Sequence, residues 1–500
     1  MNKIKIGWGE VSLIPEGRKV NLAGQFYERI TDKVESPISV TAMAIECGED
    51  SAIFCSCDLV STSHHLLLSV RERLSSIEGF PSDKVMISAI HSHTAPAYAR
   101  RGDSSSISGS SLDVLRSLMP NVKYEKLVTY EGDDLMDGEE AHSFMADRIA
   151  EAAKIAWNNR RDGMYAQGFG RAAVGMCRRV CYSDGSAKMW GDTDTATFTE
   201  LEGGNDSGIE LIFTFTPEKK LTGVVANVAC PAQVLEHRSF ISSDYWGKVK
   251  TLLRKEYGED IFLLALCSAA GDQCPRDMVR WVEPETPIND PNIERYDVTV
   301  RKADPSMFDV KGCELVGRRI ANEIFYAFED IGDDEYVSES EFEHRNITID
   351  MPLRRVTPAE KASAMRAIEE FAANIGNGTI NFNDNARMHI YAGTVVRSEI
   401  QEKVDVIPIE VHIIRLGNIA FATNPYELFL DYGNQIKARS KASQTFLIQL
   451  SCGCYGYLPT EKAEKGSHYS AYVSSGTSGH VGGELLVRKT VSEINDMMNR

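Results

Sequence analysis

What most limits the fold of this chain is the alternation of strand-like apolar runs with amphipathic helical stretches along its whole length. Residues 38–60 read as two strands around the turn Gly48-Glu-Asp-Ser51, followed by a helix over about 61–74. Further strand-like runs fall at 164–176, 209–216, 221–230, 261–267, 405–415, 418–423 and 445–451. Helical periodicity marks 139–158, 244–257, 312–329, 358–375, 384–402 and 482–499, and another helix is expected to open at Tyr426. Interleaving of this kind specifies an α/β protein with a mixed β-sheet core flanked by helices. No internal repeat is visible. One catalytic unit spanning residues 1–500 is the expected organisation, with residues 343–500 as a sub-portion.

Five hundred residues bury a large core, and 43% hydrophobic with 25% charged residues is the make-up of an ordinary globular protein. A formal net charge of -18 opposes a general nucleic-acid or anionic-membrane surface. The N-terminus runs from Met1 directly into a first strand without an apolar signal region, and no run of about 18 apolar residues follows anywhere. Neither a secretory leader nor a membrane span is therefore expected. The 11 cysteines are odd in number, and Cys55, Cys57, Cys230 and Cys267 sit inside apolar runs. That is the pattern of reduced core thiols, and it favours a cytoplasmic location.

Several strands run straight into loops that carry chemistry. Ser88-Ala-Ile-His91-Ser-His93-Thr94-Ala-Pro96 places two imidazoles two residues apart after an apolar strand. In extended chain that spacing sets both rings on one side of the sheet edge, as a metal centre or an acid/base site needs. Ordinary polar residues at a strand end are the plain alternative. Ser268-Ala-Ala-Gly271-Asp272-Gln273-Cys274-Pro275-Arg276 offers a tight turn, an acid, a thiol and a cation. A small buried thiol in a turn explains that spacing equally simply. Cys230-Pro231 and His237 follow another strand, with Arg178 on an earlier one. Pro425-Tyr-Glu427 ends a further strand, and Glu427 is expected in the first turn of the next helix. A carboxylate there is either a partner for the helix dipole or a ligand at a sheet edge. Tyr457 and Tyr469 lie in a phenol-rich loop, and the Ser/Gly/Asp-rich residues 100–138 are expected to form a lid or binding loop.

Taken in order, these motifs resemble those of the neutral (non-lysosomal) ceramidases, over residues 85–475. His91-Ser-His93-Thr with Ala-Pro resembles the family's His-Thr-His-Ser/Thr-x-Pro. Gly271-Asp-Gln-Cys274-Pro-Arg resembles Gly-Asp-Val-Ser-Pro-Asn, whose Ser is the nucleophile. Glu427 and Tyr457 are similar to the family's zinc-ligand Glu and Tyr, Tyr469 to its second catalytic Tyr, and Arg178 to its pocket arginine. The resemblance covers the catalytic domain, so the family's C-terminal β-domain is not expected here. It implies one zinc ion on His91, Glu427 and Tyr457, with His93 beside it in proton transfer. Two positions depart from the pattern. Cys230 stands before Pro231 where the family has a zinc-binding His, and Cys274 replaces the nucleophilic Ser. Cysteinate is a good zinc ligand, so Cys230 is placed in the ligand set; His237 on the same loop is an alternative reach.

The expected activity is that of a zinc-dependent hydrolase of an amide or acyl-type bond in a small polar molecule; ceramide is not the expected substrate, since no leader, membrane-facing segment or C-terminal β-domain is expected. His93, Cys274, Asp272, Tyr469 and Arg178 are the expected catalytic residues, and His91, Cys230, Glu427 and Tyr457 the expected ligands. Arg276, Asp58 and His237 are expected to bind substrate. A carbohydrate-active enzyme on the same fold, a glycoside hydrolase or lyase using Asp58, Asp272 and Glu427, is one alternative. A binding protein with a decayed catalytic site is the other. A small polar substrate is the expected partner, nucleic acid and membrane are not, and homo-oligomer formation is left open.

Overall fold

A computed structural model of the chain describes residues 1–25, 28–98, 111–124, 130–280 and 309–500. Of the polar loop expected over 100–138, residues 100–110 and 125–129 lie outside the described residues, and Ser111–Leu118 is helical.

One chain path occurs three times among the described residues. Strands β1 (Asn2–Ser12), β2 (Ser39–Cys47) and β3 (Asp50–Cys57) are antiparallel neighbours. Helix α1 (His64–Ser75) then crosses over, β4 (Val85–Ala89) returns parallel to β3, and α2 (Gly138–Asn158) packs on β1. The second module repeats the path with β5 (Met164–Arg171), β6 (Gly208–Phe215), β7 (Leu221–Val228), α3 (Tyr245–Tyr257), β8 (Phe262–Cys267) and α4 (Asp309–Glu329). In the third, β9 (Phe342–Pro352) is followed by two inserted helices, α5 (Pro358–Ile375) and α6 (Phe382–Ile400). Strands β10 (Val406–Leu416) and β11 (Ile419–Thr423), helix α7 (Leu430–Arg439), strand β12 (Gln444–Ile448) and helix α8 (His480–Met498) complete it. In each of these three sheets only the last pair of strands is parallel, joined through a helix, while β9 and β10 stay antiparallel despite the helices inserted between them.

The absence of a visible repeat in the sequence is thereby corrected at the level of structure. Insertions of unequal length, 172–207 between β5 and β6 and 353–405 between β9 and β10, break any fixed period. Each module also fills its core with different side chains. Met43, Phe54, Leu66 and Ile149 pack in the first, Phe213, Trp246, Leu263 and Ile320 in the second, and Ile349, Val411, Tyr432 and Leu486 in the third. Full burial of such a side chain stabilises by about 1.5–3 kcal/mol. A fourth, smaller cluster joins Leu115 to α5 and α6 through Ile368 and Ala392.

The modules meet through their parallel strand pairs. Asn227 Nδ2 donates to the Leu447 carbonyl at 2.8 Å, Gln449 N to Cys267 at 3.0 Å, and Ala89 N to Leu450 at 3.3 Å. Beyond them, Ala232 N donates to Ile90 at 3.1 Å and Gly271 N to Leu428 at 2.8 Å. The loops that follow β4, β7, β8 and β11 therefore gather at one place, at the carboxyl ends of parallel strands where ligands bind in α/β sheets. All 11 cysteines are free thiols, nine of them buried. No helix among the described residues is long and apolar enough to cross a membrane.

Candidate active site

Strand β4 stops at Ala89, and His91 takes a left-handed backbone with φ of 69°. The two rings thus do not share a face of an extended strand, as the spacing suggests. The left-handed turn folds His93 back on His91, leaving the Nε2 atoms 3.2 Å apart and the rings edge to face at 4.7 Å. His91 Nδ1 donates to the Val60 carbonyl at 2.6 Å, which fixes the tautomer and leaves Nε2 as a lone pair. That Nε2 lies 3.4 Å from Glu427 Oε2.

Glu427 arrives there by strand pairing. Glu427–Leu428 runs parallel to Tyr457–Leu458, Glu427 directly opposite Tyr457, and helix α7 starts only at Leu430. The expectation of a helix from Tyr426, with Glu427 in its first turn, is corrected by this pairing, as is any helix-dipole role. Gly271 lets the segment close in: a Cβ there would stand 2.3 Å from the Glu427 carbonyl oxygen.

His93 is buried among cations and imidazoles. Burial first, then His91, Arg29 and Arg178, push it well below the usual histidine range, so the ring is neutral. Its Nδ1 has no hydrogen-bond partner and lies 3.7 Å from Glu236 Oε2. The other oxygen of Glu236 is 3.3 Å from His237 Nε2, and Gln233 Nε2 donates to Glu236 at 3.3 Å. His237 therefore joins the site through Glu236. That glutamate escaped the motif reading; its only sequence signal is its place beside His237.

Arg178 is buried in the same corner. It donates to Gln233 Oε1 at 3.2 Å, to the Gly271 carbonyl at 3.1 Å and to the Tyr457 hydroxyl at 3.4 Å. Burial works against its charge, yet Tyr457, Cys274 and Glu427 nearby hold its pKa above the ordinary value. Tyr457 packs edge to face with the half-exposed Tyr469 at 5.5 Å. Burial, then Glu427, raise the Tyr457 phenol well above its usual range. Trp190 lies between the guanidinium groups of Arg178, at 5.6 Å, and Arg276, at 4.7 Å. Neighbouring Arg179 pairs with Glu202 and donates to the carbonyls of Ser467 and Tyr469, which holds the loop bearing Tyr469.

Other expected residues are occupied structurally. Asp272 accepts from Leu430 N at 2.9 Å at the start of α7, and Asp58 accepts from Ser39 N at 2.8 Å; burial raises each to about 6. Cys274 is fully buried, its Sγ within 3.2 Å of the Arg276 carbonyl, and burial raises it to about 12. Cys230 faces the core of the second module, its Sγ toward the carbonyls of Val174 at 3.7 Å and Pro231 at 3.6 Å. Burial, then Cys274, drive that thiol well above its usual pKa.

These donors fit a metal ion in part. Two ligands about 2.0 Å from a tetrahedral ion are roughly 3.3 Å apart, close to the 3.4 Å between His91 Nε2 and Glu427 Oε2. Tyr457 stands on the paired strand. Cys230 does not join them: among the described residues, the set whose three His, Cys, Asp or Glu ligand atoms lie within 4.8 Å of one another is Glu410, His412 and Cys452. The thiol is turned to core carbonyls instead.

No family model matches the sequence, and no curated protein matches it. Solved structures do. The neutral ceramidase of Pseudomonas aeruginosa superposes with a TM-score of 0.67 at 14% identity, covering 100% of this chain and 75% of that one. A ceramidase complexed with C2 gives a TM-score of 0.66 at 13% identity, covering 100% and 76%. The chain has the α/β fold of neutral ceramidase.

Proposed function

We propose that this protein is a metal-dependent hydrolase that cleaves an amide or other acyl-type bond of a small polar molecule. The observation that carries the reading is His91 Nε2 held 3.4 Å from Glu427 Oε2 while Nδ1 is pinned to the Val60 carbonyl. His91 and Glu427, with Tyr457, would hold zinc, which when bound polarises a carbonyl and lowers the pKa of its water to ~7. The remaining roles belong to the chain itself. His93 Nε2 faces the His91 corner and Nδ1 faces Glu236, so the carboxylate orients the ring and stabilises it as Nε2 takes up a proton. Arg178 and Tyr469 donate toward the oxygen on which negative charge develops. Cys274 is a thiol rather than a thiolate at neutral pH, and the proposal gives the attack to water. The polar groups of Arg178, Gln233, Glu236 and His237 around this corner suit a polar substrate better than a lipid chain.

The test is incubation of zinc-supplemented protein with a panel of short N-acyl amines and a panel of oligosaccharides. Amine release that disappears in His91→Ala is the expected result. Cleavage of sugars alone, or equal turnover by His91→Ala, would overturn the reading.

A further inference from the structure

We propose that Glu410, His412 and Cys452 bind a structural divalent metal ion, one of zinc-like preference, between the first and third modules. Glu410 and His412 stand on β10, Cys452 lies in the loop after β12, and their ligand atoms are all within 4.8 Å of one another. His412 is fully buried and Cys452 nearly so. None of the three belongs to the His91 site.

The surroundings of His412 are those of a held ligand. His344 Nδ1 lies 2.8 Å from the Ser51 carbonyl, which only accepts, so that nitrogen carries a proton. Burial, then His412, lower the His344 pKa to about 3, so its Nε2 accepts from His412 Nδ1 at 2.8 Å. His412 Nε2 faces Glu410 and the Cys452 sulfur. Arg71 Nη2 approaches it at 3.4 Å. Nε2 sits 2.7 Å from Glu410 Oε1, and although burial opposes the charge, Cys452 and Glu410 hold the His412 pKa above its ordinary value, so a proton bridges the two atoms in the metal-free protein. A divalent ion would take the place of that proton, with the Cys452 sulfur within reach of the same point. A backbone- or side-chain-bound Nδ1–H with a free Nε2 is how proteins orient a metal-ligating imidazole.

Glu410 has further partners. Arg71 Nη2 donates to Oε1 at 2.6 Å and Nη1 to Oε2 at 3.1 Å, and Asn346 Nδ2 reaches Oε1 at 3.2 Å. With Arg71, Glu410, a Cys452 thiolate and a divalent ion, the cluster carries one net positive charge. Binding breaks the Cys452 S–H bond and the His412 Nε2–H bond, forms metal–sulfur and metal–nitrogen bonds and releases both protons to solvent, with no redox change. One nitrogen, one oxygen and one sulfur donor suit zinc, and water can complete the shell. Cys452 N donates to the Ile87 carbonyl on β4 at 2.9 Å, so an ion here ties the segment leading to Tyr457 against the first module.

Titration with cobalt(II) tests the proposal. Wild type, His91→Ala and Cys454→Ser are expected to show near-ultraviolet thiolate-to-cobalt absorption at one equivalent, and Cys452→Ser and His412→Gln to lose it. Absence of the band in wild type, or its persistence in folded Cys452→Ser, would overturn the site. Should Cys452→Ser not fold, X-ray absorption of zinc-loaded His91→Ala decides. A sulfur neighbour at about 2.3 Å is expected there, and a shell of nitrogen and oxygen alone contradicts the proposal. Because His91→Ala disables the hydrolase centre, neither outcome depends on that reading.

Discussion

At Glu236, one carboxylate serves two imidazoles, 3.7 Å from His93 Nδ1 and 3.3 Å from His237 Nε2. If it orients His93 for proton transfer, Glu236→Gln lowers kcat about 10–100-fold while leaving KM and the melting temperature near those of wild type. Steady-state kinetics beside a thermal melt checks this, and an unchanged kcat would remove Glu236 from the mechanism. The sequence holds Glu236 in plain view beside His237, but nothing local says that the loop is buried. A glutamate next to a histidine reads as solvated surface until β7 and Arg29, which donates to the carbonyls of His93 and Glu236, fold it inward. His91 and His93 were legible because their spacing is local. Their actual geometry was not, since it depends on a left-handed residue with φ of 69°.

Among elements, the connections do more than the strands. Asp244 caps α3, accepting from Tyr245 N at 2.8 Å, and also from Leu235 N at 2.8 Å, which ties down the loop bearing Glu236. Burial raises its pKa from the ordinary 3.8 to about 6. The folded state thus keeps this proton to higher pH than the unfolded chain does. Its contribution to stability is fully present below about pH 4 and is lost as pH rises through about 6. Urea unfolding between pH 4 and 7 should therefore show wild type losing up to about 3 kcal/mol more stability than Asp244→Asn, at about 1.36 kcal/mol per pKa unit. Parallel profiles would contradict this.

The segment at Glu427 obeys the same rule. Its strand partner Tyr457 lies 30 residues on, so no local pattern separates a two-residue strand from a first helical turn. Gly271→Ala would set a Cβ 2.3 Å from the Glu427 carbonyl oxygen, a backbone atom that cannot turn aside. Overpacking of this kind costs about 1–3 kcal/mol. A lower melting temperature together with at least about tenfold lower activity is expected, and full activity would show that Glu427 need not be held where it is.

On the scale of the whole molecule, the site exists because three modules end at one place. The first supplies His91 and His93, the second Arg178, Glu236 and Gly271, the third Glu427 and Tyr457. The α/β class was legible from the alternation of strand and helix patterns. The threefold path was not, because a repeat of topology needs only the same periodicities, and insertions of unequal length hide even those. Cys230 shows the same limit: its position before Pro231 marks the right loop, while the side chain's direction is set by the core of the second module. Anomalous diffraction from zinc-loaded crystals tests the account most directly. It predicts a zinc peak within about 2.3 Å of both His91 Nε2 and Glu427 Oε2. Zinc at Glu410, His412 and Cys452 with none at His91 would contradict it.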